Sequence, residues 1–125
     1  MDWDWDFTFS IVLPRLLQGL QITVLATIAA FMIAILLGLP LMLLRTSRNR
    51  FVSIVTGEII EFIRSTPLLV QIFFLFYLLP ELGLSLPPLT TGILAIGIYY
   101  AALSSEVFRL AILRFPAASG RQRQR

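Results

Sequence analysis

The 125-residue chain contains no cysteine, no histidine and no lysine. Without cysteine or histidine it has no thiol nucleophile, no imidazole base and no disulfide, and zinc sites built on those ligands are excluded. It also contains no G-x-x-x-x-G-K-[ST] sequence, so it has no phosphate-binding loop of its own. The sequence therefore predicts no catalytic residue, no metal site and no cofactor.

Charge is scarce as well, because only 14% of the residues are charged while 58% are hydrophobic. A soluble domain carries about 25% charged residues, so the composition predicts an all-α membrane protein. The net charge of +3 comes from arginine alone, and most arginines lie in one loop and in the C-terminal tail. In a membrane chain such clusters set the topology.

Three apolar stretches are long enough to cross a bilayer, for which about 20 helical residues suffice. We predict three transmembrane helices, at about 20–44, 58–79 and 89–110, within a transmembrane domain over 20–113. The arginine-rich loop at 45–50 is expected in the cytoplasm, which places the N-terminus outside and the C-terminus inside.

The two ends of the chain differ in character. Residues 1–19 begin with aspartates that alternate with tryptophan and phenylalanine, an order that places acids and rings on opposite sides of an extended segment. Such an external segment suits either an anchor at the membrane interface or a loosely ordered terminus. Residues 114–125 are polar and basic, without apolar periodicity, and we expect them to be disordered.

Small residues recur at every fourth position in two of the predicted spans. Ladders of this kind let two helices approach closely, so we predict that they are packing faces. They are Ala26, Ala30, Ala34 and Gly38 in the first span, and Gly97, Ala101 and Ser105 in the third. If helices outside this sequence normally cover the first ladder, we expect it to be exposed here.

The second span contains a break. Pro67 has no N–H and its ring clashes with the carbonyl four residues back, so a helix must kink or restart there. Ser65 or Thr66 could cap a helix that restarts at Pro67. A broken helix is tolerated at membrane depth only where protein or a cavity covers the freed backbone, which suggests transport.

Polar residues share one side of this span on a helical wheel, from Glu58 through Arg64 to Gln71. An amphipathic helix that enters the membrane at its interface would explain the polar residues near the boundary, from Glu58 to Arg64, but not Gln71, which lies deeper. Two oppositely charged pairs, Glu61 with Arg64 and Glu106 with Arg109, are spaced to form ion pairs at the cytoplasmic side. Each pair can serve as a structural boundary or have a functional role, and the residues do not decide between the two.

These stretches resemble a known family. Residues 62–80 resemble the second membrane segment of polar amino-acid permeases of ATP-binding-cassette importers, typically F-R-x-T-P-x-L-V-Q-L-F-F-x-Y-x-x-L-P. The first span and the run 100–109 are similar to the family's first and third segments, so the resemblance covers about residues 12–112. In the second segment the matching residues are Arg64, Thr66, Pro67, Leu69, Val70, Gln71, Phe73, Phe74 and Pro80. The sequence around the break is also similar to that of permeases for ectoine and hydroxyectoine.

The resemblance implies the fold of a type I importer permease in a bacterial inner membrane. It implies that a second permease subunit, cytoplasmic ATPase subunits and an extracytoplasmic solute-binding protein act with this chain. ATP would be bound by the separate ATPase. The break, with Arg64, Ser65, Thr66, Pro67 and Gln71, would line the solute pathway.

The sequence departs from the family after the third segment. Permeases of this family continue into a cytoplasmic coupling loop with an E-A-A signature and then into further spans, whereas residues 116–122 here read P-A-A-S-G-R-Q. We therefore expect a chain truncated before the coupling loop, as a frameshift or a premature stop would produce, and impaired coupling to the ATPase.

Taken together, the residues and the resemblance favour an incomplete permease subunit of an ATP-driven importer for polar amino acids or related compatible solutes such as ectoine. The alternative is a membrane protein that does not transport, either a truncated remnant or a small helical partner of other membrane proteins.

Overall fold

The computed structural model describes the backbone of residues 4–121 and the side chains of residues 4–115. That part of the chain consists of helices and their connections, without a strand, which is the all-α architecture that the sequence predicts. The elements are α1 (Trp5–Phe7), a π-helical turn (Thr8–Val12), α2 (Leu13–Arg45), α3 (Arg50–Ser65), α4 (Leu68–Glu81) and α5 (Pro88–Arg121).

The first helical unit begins much earlier than the predicted span at residue 20, because Asp4 caps it. The Asp4 carboxylate accepts a hydrogen bond from the Phe7 N–H at 3.1 Å, which satisfies a free donor of the first turn. Pro14 then has no N–H, and the turn before it widens to a π-helix, with the Leu13 N–H bonded to the Thr8 carbonyl. An extended arrangement of the alternating residues is therefore wrong for residues 4–9; Asp2 and Trp3 lie outside the described residues.

The last helix also runs further than predicted, because α5 continues to Arg121. The expectation of disorder is wrong for the backbone of residues 114–121. Adding residues to an existing helix costs far less than nucleating a new one, and Ala117 and Ala118 are strong helix formers. Residues 122–125 of the predicted tail lie outside the described part of the chain.

The core of the fold is the contact between α2 and α5, where small residues of both helices face each other. A Cβ placed on Gly97 would lie 2.6 Å from Cγ2 of Ile33, which shows how closely the two helices approach. The expectation of an exposed first ladder is wrong, because α5 covers most of it and only Ala26 is half-buried. The buried members of the two ladders are Ala30, Ala34, Gly38, Gly97, Ala101 and Ser105.

Two helical units, Trp5–Arg45 and Pro88–Phe115, are long and apolar enough to cross a membrane. A third crossing is possible if α3 and α4 count as one broken span, but the two helices meet at a bend of 101°. The predicted span over 58–79 is therefore not one straight helix. At 14 residues, α4 alone is about 21 Å long and shorter than the hydrocarbon core of about 30 Å.

Candidate functional site

The candidate site lies at the break between α3 and α4. In an uninterrupted helix the carbonyl of Ile63 would accept a hydrogen bond from the N–H of residue 67, and proline has none. The side-chain amide of Gln71 takes that place: Nε2 donates to the Ile63 carbonyl at 2.7 Å and to the Thr66 carbonyl at 2.9 Å. Gln71 thus satisfies carbonyls that the break leaves free.

Neither of the two predicted capping residues caps α4. The Ser65 hydroxyl donates to the Phe62 carbonyl at 3.2 Å, and the Thr66 hydroxyl donates to the same carbonyl at 2.8 Å. Helix α4 begins at Leu68, with Pro67 at its N-cap and no side-chain bond to the cap. The capping prediction is wrong because the backbone at Thr66 and Pro67 is extended, which leaves both hydroxyls beside the end of α3.

The bend also divides the polar side that the helical wheel predicts. Glu58, Glu61 and Arg64 lie on α3, whereas Gln71 lies on α4 and reaches back across the break. A wheel assumes one straight axis, so it does not apply across a 101° bend. Glu61 and Arg64 do approach to 3.7 Å, but their side chains are 70% and 39% exposed. An ion pair that exposed contributes little to stability in water.

A pocket of about 260 Å³ lies beside the break. Thr66 and Gln71 are its only lining residues with polar side chains, and the surface that faces the cavity is almost entirely apolar. Arg64, Ser65 and Pro67, the other predicted pathway residues, do not line it. The pocket is lined by Phe62, Ile63, Thr66, Val70, Gln71, Phe74, Leu75 and Ile98.

A second polar cluster joins three helices at the other end of α3, and no spacing in the sequence predicts its links between helices. Arg45, the last residue of α2, donates from an Nη to the Ser53 carbonyl at 3.1 Å and to the Ser53 hydroxyl at 3.2 Å. The Ser53 hydroxyl donates in turn to the Arg45 carbonyl at 2.6 Å. The buried Nε of Arg45 lies 3.7 Å from a carboxylate oxygen of Glu106 on α5. We call Arg45, Ser53, Glu106 and Arg109 the arginine cluster.

The arginine cluster also contains one of the two pairs that the spacing suggests. Arg109 donates from Nε at 3.0 Å and from an Nη at 2.7 Å to the same oxygen of Glu106. The Glu106 side chain is only 16% exposed and faces two guanidinium groups. Because Arg45 lies on another helix, this carboxylate connects α2 to α5 and is more than a boundary of its own helix.

Gly57 makes room for the cluster, and its replacement provides a test. A Cβ at Gly57 would lie 2.7 Å from Cζ of Arg45, so the guanidinium would have to move away from Ser53. We expect Gly57→Ala to have a free energy of unfolding about 1 kcal/mol lower than Gly19→Ala, because both alanines gain helix propensity but only the one at residue 57 costs the cluster an ordinary hydrogen bond. Unfolding by SDS titration in mixed micelles measures the change. Gly19→Ala is the control, since no atom lies within 4 Å of its Cβ position; equal effects of the two would contradict the assignment.

A larger groove, of about 830 Å³, runs between α2 and α5 and includes Ala26, Ala30 and Ala34 of the first ladder. Its polar lining residues are Thr23, Thr27, Tyr100 and Ser104. Neither this groove nor the pocket at the break contains a carboxylate. Within the described residues, no group of three or more acidic, histidine or cysteine side chains is placed to bind a metal ion.

Comparison with known proteins finds chains of similar sequence and a similar structure. No protein-family model matches the chain. The chain is 47% identical over 105 residues to a probable amino-acid ABC transporter permease of Sinorhizobium fredii, in a match that covers 83% of this chain and 46% of that protein. It is 35% identical to the L-cystine transport system permease protein TcyB of Bacillus subtilis, over 90% of this chain and 48% of the relative.

The fold gives the same result. A crystal structure of an amino acid ABC transporter with histidines superposes with a TM-score of 0.81 and 32% identity, over 90% of this chain and 52% of that one. The chain spans about half the length of the curated relatives it matches. Over that length, the chain is a homologue of the permease subunits of amino-acid ATP-binding-cassette transporters.

Proposed function

We propose that the chain forms part of the membrane pathway of an ATP-driven importer for polar amino acids or related compatible solutes. The observation that carries the proposal is the break between α3 and α4, with its pocket of about 260 Å³, in a homologue of amino-acid permeases. Polar groups and non-helical backbone at membrane depth are expected where they line a cavity or meet protein.

The proposal includes partners and an orientation. The second permease subunit, the ATPase subunits and the solute-binding protein would be separate chains, with ATP bound by the ATPase. The arginine-rich loop at 45–50 would lie in the cytoplasm and the N-terminus outside, in a bacterial cytoplasmic membrane. Under this orientation both acidic–basic pairs, Glu61 with Arg64 and Glu106 with Arg109, would lie at the cytoplasmic side.

Cysteine scanning of residues 64–75 tests the pathway, because the native chain has no cysteine and each introduced thiol is the only one. We expect Thr66→Cys and Val70→Cys, which line the pocket, to react with a charged maleimide in the bilayer. Phe73→Cys, at a position that is 52% exposed but outside the pocket, is the lipid-facing control. Only the thiolate reacts, and ionisation is suppressed in hydrocarbon, so the pocket positions should react at least about tenfold faster.

Uniform protection of the pocket positions would overturn the pathway proposal and favour the alternative, a helical membrane protein that does not transport. Uptake separates the two further. ATP-dependent uptake of a labelled polar amino acid into vesicles that contain the chain, the ATPase subunits and the binding protein would support transport. Competition by unlabelled ectoine would extend the solute class to compatible solutes.

A further inference from the structure

Helices α3 and α4 both pack on α5, and α3 also packs on α2, but α3 and α4 do not pack on each other, so no direct packing between the two sets the angle of the break. Proline explains why the helix is interrupted, since its ring displaces the carbonyl four residues back. It does not select an angle of 101°. Among the residues that the structure describes, the only hydrogen bonds from α4 to α3 and its C-cap are the two that the Gln71 amide donates.

Those two bonds occupy both hydrogens of the amide. Their lengths of 2.7 and 2.9 Å lie within the range for N–H···O bonds. One acceptor, the Ile63 carbonyl, is the group that loses its helical donor because residue 67 is proline. The other, the Thr66 carbonyl, belongs to the extended residue that separates the two helices. Because both acceptors lie on the α3 side and the donor lies on α4, the two bonds connect α4 directly to the end of α3.

We propose that Gln71 is a positioning residue, whose amide replaces the backbone donor that Pro67 lacks and thereby holds α3 and α4 at their angle. The relevance to transport rests on the proposed function, which this inference deepens: Gln71 shapes the wall of the pathway and does not donate to the solute. Its amide has only the oxygen left for any other partner.

The angle is measurable in the full chain reconstituted into lipid bilayers. Spin labels on Phe51→Cys, in the first turn of α3, and Glu81→Cys, at the end of α4, report the distance between the far ends of the two helices by pulsed electron paramagnetic resonance. Both positions are exposed. With a rise of 1.5 Å per residue and the bend of 101°, the two Cα atoms lie about 28 Å apart, against about 45 Å in a straight helix.

We expect Gln71→Met, which preserves the size of the side chain but donates no hydrogen bond, to broaden the distance distribution toward the straight-helix value. Gln71→Glu should broaden it less, because a carboxyl group that stays protonated in this apolar pocket donates one hydrogen bond in place of two. Gln21→Leu, at an exposed position on α2, is the control and should leave the distribution unchanged. An unchanged distribution in Gln71→Met would overturn the proposal.

Repeating the Gln71→Met substitution in a Pro67→Ala chain distinguishes replacement of the missing donor from general destabilisation. Pro67→Ala restores an N–H at residue 67, which donates to the Ile63 carbonyl once Thr66 becomes helical, so the Gln71 amide becomes redundant there. We expect Gln71→Met to have little further effect on the distances in Pro67→Ala. An equally large effect in both backgrounds would show that the amide does not replace the missing donor, and would also overturn the proposal.

The distance measurement is independent of solute, ATPase and binding protein. If the distances change as expected while Thr66→Cys and Val70→Cys are protected, the positioning role stands and the pathway proposal fails. If the cysteines react but the distances do not change, the pathway stands and the positioning role fails.

Discussion

Gly97→Leu is expected to lower the free energy of unfolding by about 3 kcal/mol, because overpacking a close helix–helix contact forces side chains and backbone to move. A Cβ at this position would already lie 2.6 Å from Cγ2 and 2.8 Å from Cβ of Ile33, and 3.4 Å from the Ala30 carbonyl oxygen. The Cβ of Ile33 is fixed to the backbone of α2 and cannot swing aside. The added side chain must therefore push α5 away from α2.

Gly92→Leu is the matched control for this substitution, since Gly92 lies on the same helix and no atom comes within 4 Å of its Cβ position. There we expect a change of the opposite sign, up to about 1 kcal/mol of stabilisation from helix propensity. SDS titration of both variants in mixed micelles measures the difference. Similar unfolding free energies for the two leucine variants would mean that α2 and α5 do not meet at Gly97.

Glu106→Ala is expected to cost about 2 kcal/mol, because it leaves two guanidinium groups without the carboxylate they share. The loss should be smaller than for a fully buried ion pair, since the side chains of Arg45 and Arg109 are 32% and 27% exposed. Glu61→Ala is the comparison, because the pair of Glu61 with Arg64 is far more exposed. For that variant we expect a change of no more than about 1 kcal/mol.

The same unfolding titration decides this prediction. Glu106→Gln should fall between the wild-type chain and Glu106→Ala, because an amide oxygen still accepts from Arg109 without carrying a charge. If Glu106→Ala and Glu61→Ala lose the same small amount, the arginine cluster does not hold α2 and α5 together.

The close contact at Gly97 and the arginine cluster stabilise the α2–α5 pair in different ways. Near the middle of the contact the small residues allow close packing, and at the end of α2 the arginine cluster connects the helix to α3 and α5. The pocket at the break lies between the bent α3–α4 unit and Ile98 of α5. Because both α3 and α4 contribute lining residues, the angle between these two helices affects the shape of the pocket.

The sequence by itself determined the features that depend on neighbouring residues. Length and hydropathy are sufficient for the all-α class, since a bilayer leaves isolated segments little choice but helix. The interruption at Pro67 follows from the missing N–H, and the two ion pairs follow from a spacing of three along a helix. Asp4 is a further local signal, because it is a typical N-cap residue and favours the helix that begins at Trp5 in the structure.

Tertiary structure alone decided the features that join distant residues. No spacing rule brings Arg45 of α2 to Glu106 of α5, because that contact depends on how closely the two helices pack. The bend of 101° and the return of Gln71 to Ile63 are equally invisible to a helical wheel, which assumes one axis. The sequence places a proline and a glutamine four residues apart, and only the folded chain shows that the second supplies the hydrogen bond that the first removes.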